Sequence, residues 1–213
     1  MSNLVVLISG AGSNMAAIAR ACRAEGWPAS IRLVLSDRPD APGLALAREL
    51  GLAAEALPDG PSLPRDALGE ALARRMAAHA PDWVVLAGFM RVLPEAFLRR
   101  FEARVLNIHP SLLPAFPGLH THRRALAAGV RAHGATVHFV RPELDAGPIV
   151  AQAVVPVLDS DDEAALAARV LAAEHALYPR ALRLLIEGRV RLEAGRVRAA
   201  GVPAAALLQA VPA

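Results

Sequence analysis

The stretch LVVLISGAGSN at residues 4–14 decides the fold class, because a short apolar run leads through a glycine-rich turn into a helical segment that starts near Ser13. Apolar runs of this kind are typical of parallel sheets, whose strands are buried on both faces and connected by crossover helices. Similar runs at 31–36, 83–87 and 105–109 alternate with alanine- and leucine-rich helical stretches. The first 110 residues therefore predict a parallel α/β sheet.

The predicted elements run from turn signals to Gly or Pro stops. In the first half we expect strands at Leu4–Ser9, Ile31–Ser36, Trp83–Ala87 and Val105–His109, a weaker strand near Ala53–Leu57, and helices at Ser13–Glu25, Pro42–Leu50, Arg65–Ala80 and Pro94–Phe101. After a proline-rich connection we expect a helix at Thr121–Ala128, strands at Ala135–Val140 and Ile149–Val157, a helix at Asp161–Ile186 with Ser160 as N-cap, and a hairpin at Arg189–Arg198. The two later strands suit an antiparallel hairpin at the sheet edge. No long linker interrupts the pattern, so residues 1–213 are expected to form a single Rossmann-like domain with a mostly parallel central sheet and antiparallel strands added in the C-terminal half.

Composition excludes several classes of function. All 23 basic residues are arginine, so a Schiff-base lysine and the lysine of a Walker P-loop are both absent. The net charge is only +3 and acidic residues are interspersed with the arginines, so the charge pattern does not indicate nucleic-acid binding. The arginines at 189–198 suit a solvent-exposed hairpin, and a polyanion-binding site is the alternative. Cys22 has no partner for a disulfide, and no Cys/His spacing predicts a metal site. No secretory signal or membrane-length apolar run is seen, so we expect a cytoplasmic chain without membrane contact.

The glycine-rich turn is the first motif that could carry chemistry. Gly10 and Gly12 let the backbone approach a ligand, and the N–H groups at a helix start attract an anion, so the physical expectation is a phosphate site. Met15 replaces the third glycine of a dinucleotide fingerprint, but Asp37 at the end of the second strand could still bind a ribose, which keeps a nicotinamide-binding module open. A plain structural turn is the other alternative.

The second and third motifs lie in the middle of the chain. Alternation along a strand places Asn107 and His109 on one face, at the strand end where open α/β sheets bind ligands. Asp145 lies in the turn before Gly147, and a carboxylate brought near His109 would favour the protonated imidazole. Taken alone, the histidine could be structural and the aspartate a simple turn residue.

At this point the residues resemble a known family. NIHPSLLP at 107–114, followed by HFV at 138–140 and ELDAGPI at 143–149, is similar to the signature of the formyl-folate transferases and hydrolases. The GSN loop at 12–14 and EHALYP at 174–179 resemble the phosphoribosylglycinamide formyltransferases within that group.

The resemblance implies roles for particular residues. It implies a catalytic trio of Asn107, His109 and Asp145, and binding of the glycinamide ribonucleotide by Gly12, Ser13, Asn14 and Glu174. It also implies that the folate is bound by a larger set of residues: Arg65, Met90, Arg91, Val92, Leu93, Asn107, Arg141, Pro142, Glu143, Leu144 and Asp145. The implied cosubstrate is 10-formyltetrahydrofolate, with no metal and no nucleic acid, and the resemblance leaves room for a homodimer. One rival is a formyltetrahydrofolate hydrolase, which uses the same trio with water as acceptor. The others are a transfer-RNA formyltransferase, expected to carry a further C-terminal domain, and a nucleotide-binding module without catalysis.

Overall fold

The protein is described here from a computed structural model covering residues 1–210. These residues form two compact units. The first comprises residues 1–107 and 140–142; the second comprises residues 108–139 and the described residues from 143 onward. The single domain expected from the sequence stays a prediction, and residues 211–213, which it includes, lie outside the described part of the chain.

The first unit is an α/β layer structure, as the sequence predicted. Its elements are β1 (Ser2–Ile8), α1 (Ser13–Ala24), β2 (Ala29–Ser36), α2 (Pro42–Glu49), β3 (Ala54–Ala56), α3 (Arg65–Ala77), β4 (Trp83–Leu86), α4 (Glu95–Arg100) and the start of β5 (Val105–His109). The strands pair in parallel in the order β3-β2-β1-β4-β5. The order reverses between β1 and β4, and in open α/β sheets ligands bind outside the carboxyl ends of the strands at such a reversal.

Apolar burial explains why this layer forms. Residues 4–8 of β1 are fully buried, which fits a strand covered on both faces. On one face Leu68, Leu72 and Met76 of α3, at four-residue spacing, join the buried cluster that contains Val5. The apolar periodicity that predicted α3 is thus the stripe that packs on the sheet.

The second unit combines antiparallel strands with one long helix. Its elements are α5 (Thr121–Ala127), β6 (Ala132–Phe139), β7 (Ile149–Pro156), α6 (Glu163–Ile186), β8 (Val190–Glu193), β9 (Arg196–Ala199), α7 (Ala204–Leu207) and β10 (Leu208–Ala210). β6 and β7 pair antiparallel with Thr136 opposite Gln152, and α6 packs against both strands. The α/β class with a mostly parallel sheet and later antiparallel strands is confirmed.

Three details of the second unit differ from the prediction. The β6–β7 hairpin does not end at the sheet edge, because β10 adds in parallel to β7. The sequence did not reveal β10, since it is three residues long and follows an alanine-rich segment. The N-cap of α6 is Asp162, whose side chain accepts the Ala165 N–H at 2.7 Å, and not Ser160. β6 begins at Ala132, three residues before the predicted start, because Ala132, His133 and Gly134 continue the ladder with β7.

Candidate active site

The loop between β1 and α1 has the geometry of an anion site. Gly12 is the N-cap of α1, with φ at +73°, a value that glycine adopts without strain. A Cβ atom at Gly12 would lie 2.9 Å from the Gly43 Cα, so the loop packs directly against the start of α2. The Gly43 N–H donates to the Gly10 carbonyl at 3.0 Å and ties the two segments together. The first N–H groups of a helix have no acceptor within the helix, so this start can bind an anion.

His109 ends β5 with its ring buried between two oxygen acceptors. Its Nδ1 lies 3.4 Å from Asp145 Oδ2, and its Nε2 lies 3.0 Å from the Phe116 carbonyl oxygen. A carboxylate and a carbonyl both accept hydrogen bonds, so the ring satisfies both when each nitrogen carries a proton. An imidazole held in this way can stabilise negative charge or give up a proton.

Asp145 is held in place by the backbone. Its φ is +52°, in the left-handed region that Asp and Asn tolerate better than most residues. The Gly118 N–H donates to Asp145 Oδ2 at 2.8 Å, and this is the same oxygen that faces His109. The side chain is 9% exposed, so the charge acts on the imidazole with little solvent screening. The expected approach of a carboxylate to His109 is therefore present in the second unit.

Asn107 lies two residues before His109 on β5, partly buried, so strand alternation directs both side chains to one face. The other predicted residues are distributed over both units. The first unit contains Gly12, Ser13, Asn14, Arg65, Met90, Arg91, Val92, Leu93, Asn107, Arg141 and Pro142, and the second contains His109, Glu143, Leu144, Asp145 and Glu174. Glu174 is buried on α6, and burial together with the nearby Glu174 charge raises the pKa of Tyr178.

Polar side chains that the sequence analysis did not single out hold the loop at 110–117. Thr136 donates from Oγ1 to the Ser111 carbonyl at 2.7 Å and accepts the Leu113 N–H at 3.0 Å. Gln152 donates to the Leu113 carbonyl at 2.9 Å. Ser111 donates from Oγ to the Ala115 carbonyl at 2.6 Å, and the same Oγ lies 3.2 Å from the Phe116 carbonyl oxygen that meets His109. A threonine and a glutamine within two apolar strand runs were the signal that could have revealed this network.

Two of the predicted arginines hold the segment 90–93 in place through hydrogen bonds to backbone carbonyls. Arg65 donates to the Leu93 carbonyl at 2.7 Å. Arg91 donates to the Gly60 carbonyl at 2.9 Å and to the Leu63 carbonyl at 2.6 Å. The guanidinium of Arg91 is thus engaged with the protein backbone. Between these attachments Met90 and Val92 expose 68% and 49% of their surface.

Three further histidines surround this part of the second unit. The rings of His122 and His133 meet edge to face at 5.3 Å between centroids. Burial, and then the neighbouring His122 and His109, lower the pKa of His133 from 6.5 to about 4. Burial also lowers the pKa values of His122 and His138. These three rings are consequently neutral near pH 7.

The His133 shift predicts a pH dependence of stability. Because the folded state holds the pKa of His133 near 4, below its ordinary 6.5, the unfolded chain binds the proton more readily. The contribution of His133 to the free energy of unfolding is therefore fully present above about pH 6.5. It is lost as the pH falls towards 4. We expect His133→Phe to reduce this loss between pH 7 and pH 5, measured as free energy of unfolding in urea. His79→Asn, at a half-buried histidine in the first unit, is the control. An equal slope in wild type and H133F would contradict the prediction.

Residues 2–182 match the family model described as formyl transferase. The chain belongs to the formyl transferase family. It is 48% identical to the phosphoribosylglycinamide formyltransferase of Escherichia coli strain K12, over 89% of this chain and 90% of that protein.

Two further proteins are similar to this formyl transferase over most of its length. It is 44% identical to the trifunctional purine biosynthetic protein adenosine-3 of Drosophila melanogaster over 87% of this chain, which spans 14% of that longer protein. The crystal structure of phosphoribosylglycinamide formyltransferase from Anaplasma phagocytophilum superposes with a TM-score of 0.91 at 39% identity, covering 99% of this chain and 98% of that one. The resemblance seen in the sequence motifs is therefore confirmed.

Within residues 1–210, no three or more His, Cys, Asp and Glu side chains are grouped so as to hold a metal ion. Across the same residues, none of the helices combines the length and apolar character that a membrane crossing requires.

Proposed function

We propose that this formyl transferase moves the formyl group of 10-formyltetrahydrofolate to the amino group of glycinamide ribonucleotide. The products are formylglycinamide ribonucleotide and tetrahydrofolate, a step of de novo purine biosynthesis. Two of the relatives are named phosphoribosylglycinamide formyltransferases, and one of them covers the chain almost end to end. The observation that carries the proposal is the buried His109–Asp145 pair, with both imidazole nitrogens facing oxygen acceptors.

The chemistry needs a charged donor and a proton path. The substrate amine attacks the formyl carbon, a carbon–nitrogen bond forms, and the formyl oxygen gains negative charge in a tetrahedral intermediate. The positive charge of protonated His109 and the amide of Asn107 stabilise this oxygen. The bond to the folate nitrogen then breaks, and the proton lost by the amine ends on that nitrogen. Asp145 keeps His109 charged and positions a water that carries the proton.

The substrates are assigned to the residues that the resemblance implied. The phosphate of the ribonucleotide binds the backbone at Gly12, Ser13 and Asn14, and Glu174 binds its ribose. The folate donor binds the segment 90–93 and the loop 141–145, with Arg65 and Asn107 also on its side. The exposed apolar side chains of Met90 and Val92 suit the flat ring system of a folate.

The remaining expectations stay predictions. These are the absence of a metal requirement, of nucleic-acid binding and of membrane contact, the homodimer, and the cytoplasmic location. Each follows from the sequence or the resemblance, and the reaction itself needs neither a metal nor a nucleic acid.

The proposed function is tested by mixing the protein with 10-formyltetrahydrofolate and glycinamide ribonucleotide and following the absorbance change as the folate loses its formyl group. We expect a change when both substrates are present and none when either is omitted. Turnover without the ribonucleotide would indicate the hydrolase instead. Absence of turnover with both substrates would contradict the proposal.

A glycine substitution tests the phosphate site. In Gly12→Val the side chain would strain a backbone at φ +73° and meet Gly43, so the loop must move. Strain of this kind amounts to about 1–3 kcal/mol, and we expect the affinity for glycinamide ribonucleotide to fall about ten- to hundredfold while folate affinity changes little. Calorimetric titration with each substrate measures this.

The matched control is Gly26→Val, at the other end of α1. Gly26 also has a positive φ, at +59°, but a Cβ atom there meets nothing within 4 Å. The control therefore carries backbone strain without disturbing the loop, and its affinity for the ribonucleotide should match wild type. Equal losses for both substrates in G12V would place the phosphate elsewhere.

A further inference from the structure

A buried carboxylate at the carboxyl end of β2 is not used by the proposed reaction. Asp37 is 3% exposed, and its Oδ1 accepts a hydrogen bond from Ser9 Oγ at 2.6 Å. Ser9 follows β1 and is itself buried. The sequence left open that Asp37 binds a ribose hydroxyl, but the structure directs this oxygen to a protein hydroxyl.

The Ser9 hydroxyl makes a second contact, which Asp37 orients. Its oxygen accepts the Met90 N–H at 2.9 Å. A serine hydroxyl has one proton to donate, and an ionised carboxylate can only accept. Because Asp37 takes that proton, the oxygen lone pairs of Ser9 are turned towards the Met90 amide. The carboxylate therefore fixes the direction of a hydrogen bond in which it does not itself take part.

Asp37 also contacts the loop at Gly60, to which Arg91 of the same segment is hydrogen-bonded. A Cβ atom at Gly60 would lie 2.1 Å from the Asp37 carbonyl oxygen, so the two backbones are in direct contact. The Gly60 carbonyl is in turn an acceptor for Arg91. Ser9 and Asp37 thus fix the backbone at Met90, the first residue of the segment 90–93. The next residue, Arg91, is hydrogen-bonded to the Gly60 loop, which contacts the Asp37 backbone.

We infer that Asp37 and Ser9 are positioning residues for the folate donor, acting through the Met90 amide. The inference rests on the proposed function of the segment 90–93. A backbone displacement at Met90 moves the exposed apolar side chains of Met90 and Val92, which are assigned to the folate. Loss of the Ser9 contact should therefore affect the folate donor much more than glycinamide ribonucleotide.

The first test separates the two substrates kinetically. We expect Ser9→Ala and Asp37→Ala each to raise KM for 10-formyltetrahydrofolate about three- to tenfold, the effect of one lost hydrogen bond, with KM for glycinamide ribonucleotide nearly unchanged. Asp37→Asn keeps an acceptor oxygen and should remain close to wild type. The matched control is Ser36→Ala, which removes a buried hydroxyl at the same strand end that accepts the Arg38 N–H. Its KM for the folate should not change.

A double-mutant cycle shows whether the two residues act through one contact. In the Ser9→Ala background, Asp37→Ala should add little to the folate KM, because the bond it orients is already gone. Additive effects, an equal rise in both KM values, or an Asp37→Asn variant as impaired as Asp37→Ala would overturn the inference.

A measurement without substrates separates this inference from the proposed function. Hydrogen exchange at the Met90 amide should be faster in Ser9→Ala than in wild type, whatever the protein catalyses. Unchanged exchange at Met90 would overturn the inference even if formyl transfer is intact. Absence of formyl transfer in wild type would overturn the proposed function instead. Ser9→Ala also carries the test if Asp37→Ala does not fold.

Discussion

His109→Ala should lower turnover by about a hundredfold or more, the scale of a positioned acid or base. The ring is buried between Asp145 and the Phe116 carbonyl, so alanine removes the group that we propose stabilises the reacting oxygen and leaves the Asp145 carboxylate without its imidazole partner. KM for both substrates should change much less than kcat, because the interaction strengthens in the transition state. Steady-state kinetics on the purified, folded variant measure the effect.

The control for this variant is His120→Asn, at an exposed histidine in the same segment. His120 has φ at +56° as the N-cap of α5, and asparagine tolerates that conformation. The control should keep near-normal turnover. A folded H109A variant with near-normal turnover would remove His109 from the mechanism.

Asp145→Asn should lower turnover about ten- to hundredfold, although it alters the structure little. Asparagine tolerates the positive φ and can accept the Gly118 N–H, so geometry is kept while the negative charge 3.4 Å from His109 is lost. Without that charge the imidazolium is less favoured, and the pH profile of turnover should move towards acid. Kinetics between pH 5 and pH 9 test both expectations.

The double variant indicates whether the two residues form one unit. If Asp145 acts through His109, the H109A/D145N protein should be hardly slower than H109A alone. Normal activity and an unchanged pH profile in Asp145→Asn would leave Asp145 as a turn residue before Gly147 and would break the proposed trio.

The fold was largely predictable because its signals are local. The apolar run at 4–8 is a fully buried strand, and Gly12 marks the start of α1 where the sequence placed it. β10 was not predictable, because its three residues, Leu208, Gln209 and Ala210, acquire strand structure only by pairing with β7. Tertiary pairing, rather than propensity, determines such a short element.

The contacts of the candidate site were not predictable from the sequence, and the roles of its residues stay predictions. Strand alternation places Asn107 and His109 on one face, yet no sequence pattern shows that the Gly118 amide holds Asp145 against the imidazole. The contact of His109 Nε2 with the Phe116 carbonyl depends on the path of a proline-rich loop, which has no periodicity. Asp37 illustrates the limit most clearly, since its position suggested a ligand contact and its carboxylate instead orients a serine.

The most direct test of the central claim follows the formyl group itself. The protein is mixed with 10-formyltetrahydrofolate carrying ¹³C in the formyl carbon and with glycinamide ribonucleotide, and the products are examined by ¹³C NMR. We expect the label to appear in the formamide of formylglycinamide ribonucleotide, at a rate that depends on His109. Label released as free formate, or retained on the folate, would contradict it.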